Sequence, residues 1–314
     1  MLDAGLNAGA DTGLRVALTT PRILIREVLA GLVVGLALIP EAISFSIIAG
    51  VDPKVGLFSA FIMAVTIAFV GGRPAMISAA TGAVALVVAP IAREYGMDYL
   101  IATVLLAGVF QIVLAVLGVA KLMRFIPRSV MVGFVNSLAI LIFSAQIPEL
   151  IDVPWLVYPL VALGIVLLVS FPKVTKAIPA PLVSIVVVTV LVVVCSFSVP
   201  TVGDKGELPR SLPELFIPQV PWTVETLQII APVAIAMALV GLMESLMTAK
   251  LVDEITDTHS NKTRESFGQG VANIASGLFG GMGGCAMIGQ TMINVKASGC
   301  LLYTSDAADE RSSV

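Results

Sequence analysis

Between Asp98 and Lys121 the chain runs for twenty-two residues without a charged side chain. A helix needs about 20 apolar residues to cross the hydrocarbon of a bilayer. With no water there, backbone polar groups must pair internally, which leaves only helices or closed barrels as spanning structures. Comparable runs recur at 26–50, 55–70, 74–92, 99–120, 129–147, 155–171, 181–199, 226–250, 265–280 and 284–298. Only 12% of the 314 residues are charged, against about 25% in a soluble domain, and the mean hydropathy is +1.02. The pattern predicts an all-α polytopic membrane protein. The net charge of −3 says nothing of nucleic acid, because the charges sit in the connections, and no nucleic-acid partner is expected. Cys195, Cys285 and Cys300 fall in or beside apolar stretches without metal-ligand spacing and read as small apolar residues. No nucleophile-and-base set, phosphate loop or metal cluster is present, so neither an enzyme nor a bound cofactor or metal is expected.

Orientation follows from Lys and Arg. With the N-terminus inside, the inner segments hold Arg15, Arg22, Arg26, Arg73, Lys121, Arg124, Arg128, Lys173, Lys176, Lys250, Lys262 and Arg264. The outer ones hold Lys54, Arg93, Lys205 and Arg210. This predicts a multi-pass protein of the plasma (inner) membrane with a cytoplasmic N-terminus. His259 and the sequence Asn261-Lys262-Thr263 then fall in a solvated inner loop.

Two signs point to duplication. Ala-Met-Ile occurs at residues 75–77 and 286–288, an offset of 211, each time in a glycine-interrupted apolar segment. Pro40-Glu41-Ala42 in the first span aligns with Met243-Glu244-Ser245 in the eighth, at an offset of 203. Similar offsets argue for one repeated unit. Seven spans precede the second copy, so it is inverted, and paired broken segments in inverted repeats mark a transporter's binding site.

Glu244 stands in an apolar run from Val233 to Met247. A charge at a helix centre costs about 2.5–3.5 kcal/mol on insertion scales, which makes it a functional candidate by default. It suits a group that takes up protons or pairs with a cation; the alternative is a structural carboxylate satisfied by a neighbouring helix. Glu41 follows Pro40 and is a second candidate, the alternative being a glutamate nearer the outer mouth. If each broken segment starts extended and turns helical in mid-membrane, two helix N-termini offer N–H groups and partial positive charge to an anion or polar ligand. Ala80, Thr81 and Gly82 stand at the first such start; Ile288, Gly289, Gln290 and Thr291 stand at the second. Here the alternative is close helix packing by small residues. Phe45 and Thr248 fall one turn from Glu41 and Glu244. Lys250 reads as a residue snorkelling at a helix end, and Gln269 and Asn273 as interhelical glue.

The same residues carry a resemblance. Leu38 to Ser46, followed by Ala49 to Leu57 (AGVDPKVGL), resembles the first-span signature of the SulP (sulfate permease) anion transporters. Ile126 to Phe134 (IPRSVMVGF) and Gly268 to Asn273 (GQGVAN) are similar to further motifs of that family. The likeness covers residues 22–299. It implies an inverted seven-plus-seven segment repeat, with segments one to four and eight to eleven as a mobile core and the others as a gate and dimer scaffold. It also implies an anion site between the third and tenth segments, with Thr81, Thr248 and Phe45 lining it and Glu244 coupling protons or sodium. Many members carry Arg where Gln290 stands and Gln where Glu41 stands. The pocket expected here is therefore less favourable to anions, so that protonation of a glutamate accompanies anion entry or the substrate is weakly charged.

After Gly299 the expected tenth helix does not continue, and Cys300 to Glu310 resembles a translated sequencing-library adaptor. The expected organisation is thus an N-terminal cytoplasmic segment at 1–21, an incomplete transporter domain at 22–299 truncated in its tenth segment, and a non-native tail at 300–314. The expected function is secondary active transport of a small anion (sulfate, bicarbonate, chloride or a dicarboxylate) coupled to protons or sodium by alternating access, as a homodimer when full length. The alternatives are an uncoupled anion channel or anion sensor and, less favoured, a nucleobase permease of the same fold.

Overall fold

The structure, a computed structural model, describes residues 21–121, 128–174, 180–209, 211–221 and 223–296. The 300–314 tail and nearly all of the N-terminal segment lie outside them. Ten helices appear among the described residues, in the order and close to the bounds that the apolar runs predict: α1 (Pro21–Ala49), α2 (Pro53–Val70), α3 (Gly82–Tyr95), α4 (Met97–Val116), α5 (Arg128–Gln146), α6 (Val157–Val174), α7 (Ala180–Val194), α8 (Val224–Thr256), α9 (Lys262–Leu278) and α10 (Ile288–Lys296). Two short strands, β1 (Ser78–Ala79) and β2 (Cys285–Ala286), precede α3 and α10. Five of the helices are long and apolar enough to cross a membrane. Side chains such as Phe69 (78% exposed) and Val116 (76%) carry their apolar surface outward, as a lipid-facing helix does.

Local chemistry sets the ends. Pro53 opens α2 after Asp52, where its missing N–H and fixed φ fit the first helical turn. The Arg93 guanidinium donates to the Ile48 carbonyl at 3.0 Å and so satisfies the last turn of α1. Asn261 caps α9 by accepting the Arg264 N–H at 2.9 Å. Lys262 and Thr263 therefore open a helix rather than lying in a loop. Helix α8 continues to Thr256, so Lys250 lies inside it and is half-buried, not at a helix end.

Helices α1–α4 pack with α8–α10 around one core that includes Val34, Leu38, Val84, Val88, Leu100, Val104, Met237 and Met282. Helices α4 and α9 cross closely. A Cβ on Gly108 would stand 2.8 Å from the Gly270 carbonyl, and one on Gly270 would stand 2.7 Å from that of Gly108, so the two backbones touch directly. By contrast, the apolar span of α5 has none of its residues buried, and α6 and α7 pair with each other, Ser184 donating to the Gly164 carbonyl at 3.2 Å.

One end of the packed group is held by charge. Arg73, just after α2, lies 3.4 Å from Asp253 of α8, with side chains 6% and 12% exposed. Arg73 also donates to Thr258 at 2.7 Å and to Thr256. Lys262 donates to the other Asp253 oxygen at 2.8 Å. The connection into β1 is thereby tied to the α8–α9 turn.

Candidate functional site

β1 and β2 pair antiparallel, with Ser78 opposite Ala286 and Ala79 opposite Cys285. The Met287 N–H extends the ladder by donating to the Ile77 carbonyl at 2.8 Å. Antiparallel strands are what two inverted copies meeting on a common axis produce. The matched strands begin at Ser78 and Cys285, an offset of 207. The repeated Ala-Met-Ile is therefore out of register: its first copy lies in the turn before β1, with Ala75 at φ 65°, and its second runs from β2 into α10. The duplication lies in the strand–helix architecture, and the tripeptide does not mark equivalent positions.

Both helices start where the sequence places them. Thr81 caps α3, its hydroxyl accepting the Val84 N–H at 3.4 Å, and Gly82 and Ala83 supply the first N–H groups. Helix α10 begins at Ile288. Its Thr291 hydroxyl accepts the Ile77 N–H at 3.0 Å, and Asn294 donates to the Ala75 carbonyl at 2.9 Å. One face of α10 thus grips the chain entering β1.

The candidate residues fall into linked groups. The Cys285 thiol donates to Glu244 Oε2 at 2.9 Å and lies 3.1 Å from the Thr81 hydroxyl, which joins α8, β2 and the start of α3. The Gln290 side chain lies beside the Glu41 carboxylate, bringing α10 up to α1. Phe45 and Ile142 crowd Gly82, where a Cβ would stand 2.9 Å from the Phe45 ring and 2.7 Å from Ile142. Nothing comes within 4 Å of a Cβ on Gly289, so the start of α10 opens on free space. Ala80, Thr81, Thr248 and Gln290 are buried, whereas Glu41, Phe45, Glu244 and Ile288 are half-buried. Thr248 is fully buried and its hydroxyl donates back to the Glu244 carbonyl at 2.8 Å, so that proton is committed to its own helix.

Two features differ from the sequence reading. Cys285, read as a small apolar residue, is a polar member of the site. A second is the polar face of α9, of which only Gln269 and Asn273 stood out. Glu265 accepts the N–H groups of Gly72 at 2.8 Å and Arg73 at 3.2 Å and takes the Gln269 amide at 2.8 Å. Gln269 also donates to Ser78 of β1 at 2.7 Å. Asn273 donates to Gln111 of α4 at 2.9 Å and binds Gly284. Ser276 shares a hydrogen bond with Ser59 at 2.9 Å, and Ser59 donates to the Gly283 carbonyl at 2.7 Å. Glu265, Gln269, Asn273 and Ser276 are spaced four, four and three residues apart and lie on one face, so a single helix clamps the entries of both broken segments. That spacing, and the lone Gln111 in an apolar run, are the signals by which the face is found.

Comparison with known proteins follows this geometry. The sequence profile described as the sulfate permease family matches residues 24–154 and 151–301. YbaR of Bacillus subtilis (strain 168), named as a candidate sulfate transporter, is 55% identical over 274 residues, which cover 87% of this chain and 57% of YbaR. The bicarbonate transporter BicA of a Picosynechococcus strain is 28% identical over 309 residues, covering 87% of this chain and 54% of BicA. The chain spans about half the length of the curated relatives it matches. Among solved structures, the transmembrane domain of a cyanobacterial BicA aligns with a TM-score of 0.77 at 23% identity, covering 89% of this chain and 79% of that one. The murine anion transporter Slc26a9, in its inward-facing state, aligns at 0.73 with 16% identity, covering 88% and 53%. At these identities the structures attest the fold.

Proposed function

The chain belongs to the sulfate permease family, and on that premise we propose that the full-length protein moves a small anion across the plasma membrane together with a proton or a sodium ion, by alternating access. Its family is one of transporters, not of enzymes. The observation that carries the reading is the antiparallel β1–β2 pair, which starts two helices beside two carboxylates within an apolar bundle. Each helix start carries about half a positive charge. Two starts therefore offer about one positive charge, without Lys or Arg, against Glu41 and Glu244. With both carboxylates ionised the site repels an anion; a proton or sodium ion on Glu244 removes that repulsion. Cation loading and anion binding then favour each other, which is the thermodynamics of symport.

In this reading Thr81, Gly82, Gly289 and Gln290 offer donors to the anion, with Ala80, Ile288, Phe45 and Thr248 shaping the space. Glu244 holds the coupling cation, and Glu41 tunes the field through Gln290. The substrate is drawn from sulfate, bicarbonate, chloride and dicarboxylates, and the assembly is a homodimer with the N-terminus inside.

The test is uptake of a labelled anion panel by the full-length protein in liposomes under imposed proton or sodium gradients. Gradient-driven accumulation of one anion, lost in Glu244→Gln while downhill flux of the same anion remains, is the expected result. Flux in the wild type that ignores both gradients would instead identify a channel.

A further inference from the structure

Glu244, Cys285 and Thr81 form a continuous hydrogen-bonded chain in which each proton has few places to go. The Thr81 hydroxyl carries one proton and already accepts the Val84 N–H; its partner along the chain is Cys285 Sγ at 3.1 Å. The thiol carries one proton and meets Glu244 Oε2 at 2.9 Å on its other side. Cys285 is a free cysteine, fully buried, so water does not substitute for either neighbour.

An ionised carboxylate only accepts hydrogen bonds. With Glu244 charged, the thiol proton lies toward Oε2 and the Thr81 proton lies toward sulfur. A proton on Oε2 reverses the order. The carboxyl O–H points at sulfur, the S–H turns to Thr81 Oγ1, and the Thr81 proton is turned away from sulfur at the start of α3. A sodium ion on Oε2 takes the lone pair that the thiol used and has the same consequence. No covalent bond is made or broken beyond the protonation of Glu244 itself; three rotors turn.

Resting on the transport reading above, we propose that Cys285 is a positioning residue that relays the occupation of Glu244 to the start of α3, so that loading the coupling cation frees a hydroxyl donor for the anion. Among the described residues, the titratable groups on the elements packed around Glu244 have separate partners or lie far along their helices. Glu41 of α1 has Gln290 beside it. Glu265 of α9 is bonded to Gly72, Arg73 and Gln269. Arg93 and Glu94 of α3 stand twelve and thirteen residues beyond Thr81, about 18 Å along the helix at 1.5 Å per residue, and Asp98 of α4 lies beyond them, bonded to the Gln219 N–H.

The experiment uses the full-length protein in liposomes, with labelled sulfate and labelled bicarbonate as probes. KM is measured at low and at saturating proton or sodium concentration, for the wild type and for Cys285→Ser, Cys285→Ala and Cys285→Val. The wild type is expected to lower its KM by at least about fivefold on cation loading, the lower end of ordinary coupling between sites. Cys285→Ser keeps one proton and two lone pairs and keeps that dependence. Cys285→Ala and Cys285→Val, which bracket the thiol in volume, still take up anion but lose most of that dependence, keeping only the share that removal of the Glu244 charge contributes by itself. An unchanged cation dependence in the alanine and valine variants overturns the relay, as does its loss in serine to the same extent. Failure of both apolar variants to fold also overturns it, by making the thiol's role one of packing. Wild-type uptake that ignores both cations, or no uptake at all, overturns the transport reading instead.

Discussion

Asn273 of α9 holds Gly284 by two hydrogen bonds, its Oδ1 accepting the Gly284 N–H at 2.8 Å and its Nδ2 donating to the Gly284 carbonyl at 3.1 Å. The side-chain amide thus completes the backbone of the residue leading into β2, much as a neighbouring strand would. Both groups are buried in an apolar bundle, where an unmet donor or acceptor costs about 1–3 kcal/mol. Asn273→Ala is expected to lose on the order of 2 kcal/mol or more, read as a lowered midpoint of thermal unfolding in detergent. The substitution leaves every helix in place by composition, so the drop reports the loss of this clamp together with the hydrogen bond to Gln111.

Gly284 and Gly289 flank the second broken segment and predict opposite outcomes. A Cβ on Gly284 would stand 1.9 Å from the Ala79 carbonyl, inside the strand pair itself. Gly284→Ala is expected to prevent β1 and β2 from meeting and to give aggregated protein on size-exclusion chromatography. Gly289→Ala meets nothing within 4 Å and is expected to elute as the wild type does. If the anion approaches the start of α10, the added methyl group raises its KM.

Glu41 contributes a negative charge close to Gln290, at the start of α10. Glu41→Gln removes that charge and keeps a group able to hydrogen-bond the amide. At low coupling-cation concentration it is expected to tighten apparent anion binding by up to about tenfold, equivalent to about 1.4 kcal/mol. Uptake KM at neutral pH measures this. A weaker affinity would assign Glu41 to the coupling cation.

Arg73 and Asp253 bury opposite charges at 3.4 Å. Removing one partner of such a pair strands the other and costs about 3–5 kcal/mol. The Thr256 and Thr258 hydroxyls stay on Arg73 and bring the expected loss for Asp253→Ala to the lower end of that range. The double variant Arg73→Met with Asp253→Leu is expected to recover part of it, because replacing both charges leaves neither of them unpaired, while Lys262 exchanges its Asp253 partner for solvent. A double-mutant cycle on unfolding midpoints decides the sign.

The helices were legible in the sequence because their cause is local. The apolar runs follow from hydropathy, five of the helices they form being long and apolar enough for a bilayer, and Pro53, Thr81, Asn261 and the glycine-rich stretches mark where runs begin or end. Glu244 was legible for the same reason, as a carboxylate in a run that otherwise lacks charge. The register of the repeat was not. Ala-Met-Ile gave an offset of 211, Glu41 with Glu244 gave 203, and the strands begin at an offset of 207. Short-range identity carries no information about which residues stand opposite each other across the bundle.

The sequence by itself determined the class of fold, the placement of ten helices and the two points at which segments break, since all three follow from hydropathy and backbone preference over neighbouring residues. Only the tertiary structure decided that Cys285 joins Glu244 to Thr81, that Gln290 meets Glu41, and that one face of α9 holds both breaks. Those partners lie 11 to 249 residues apart in the chain. A thiol, an amide or a serine becomes polar machinery only when folding removes water and leaves each donor with a single acceptor.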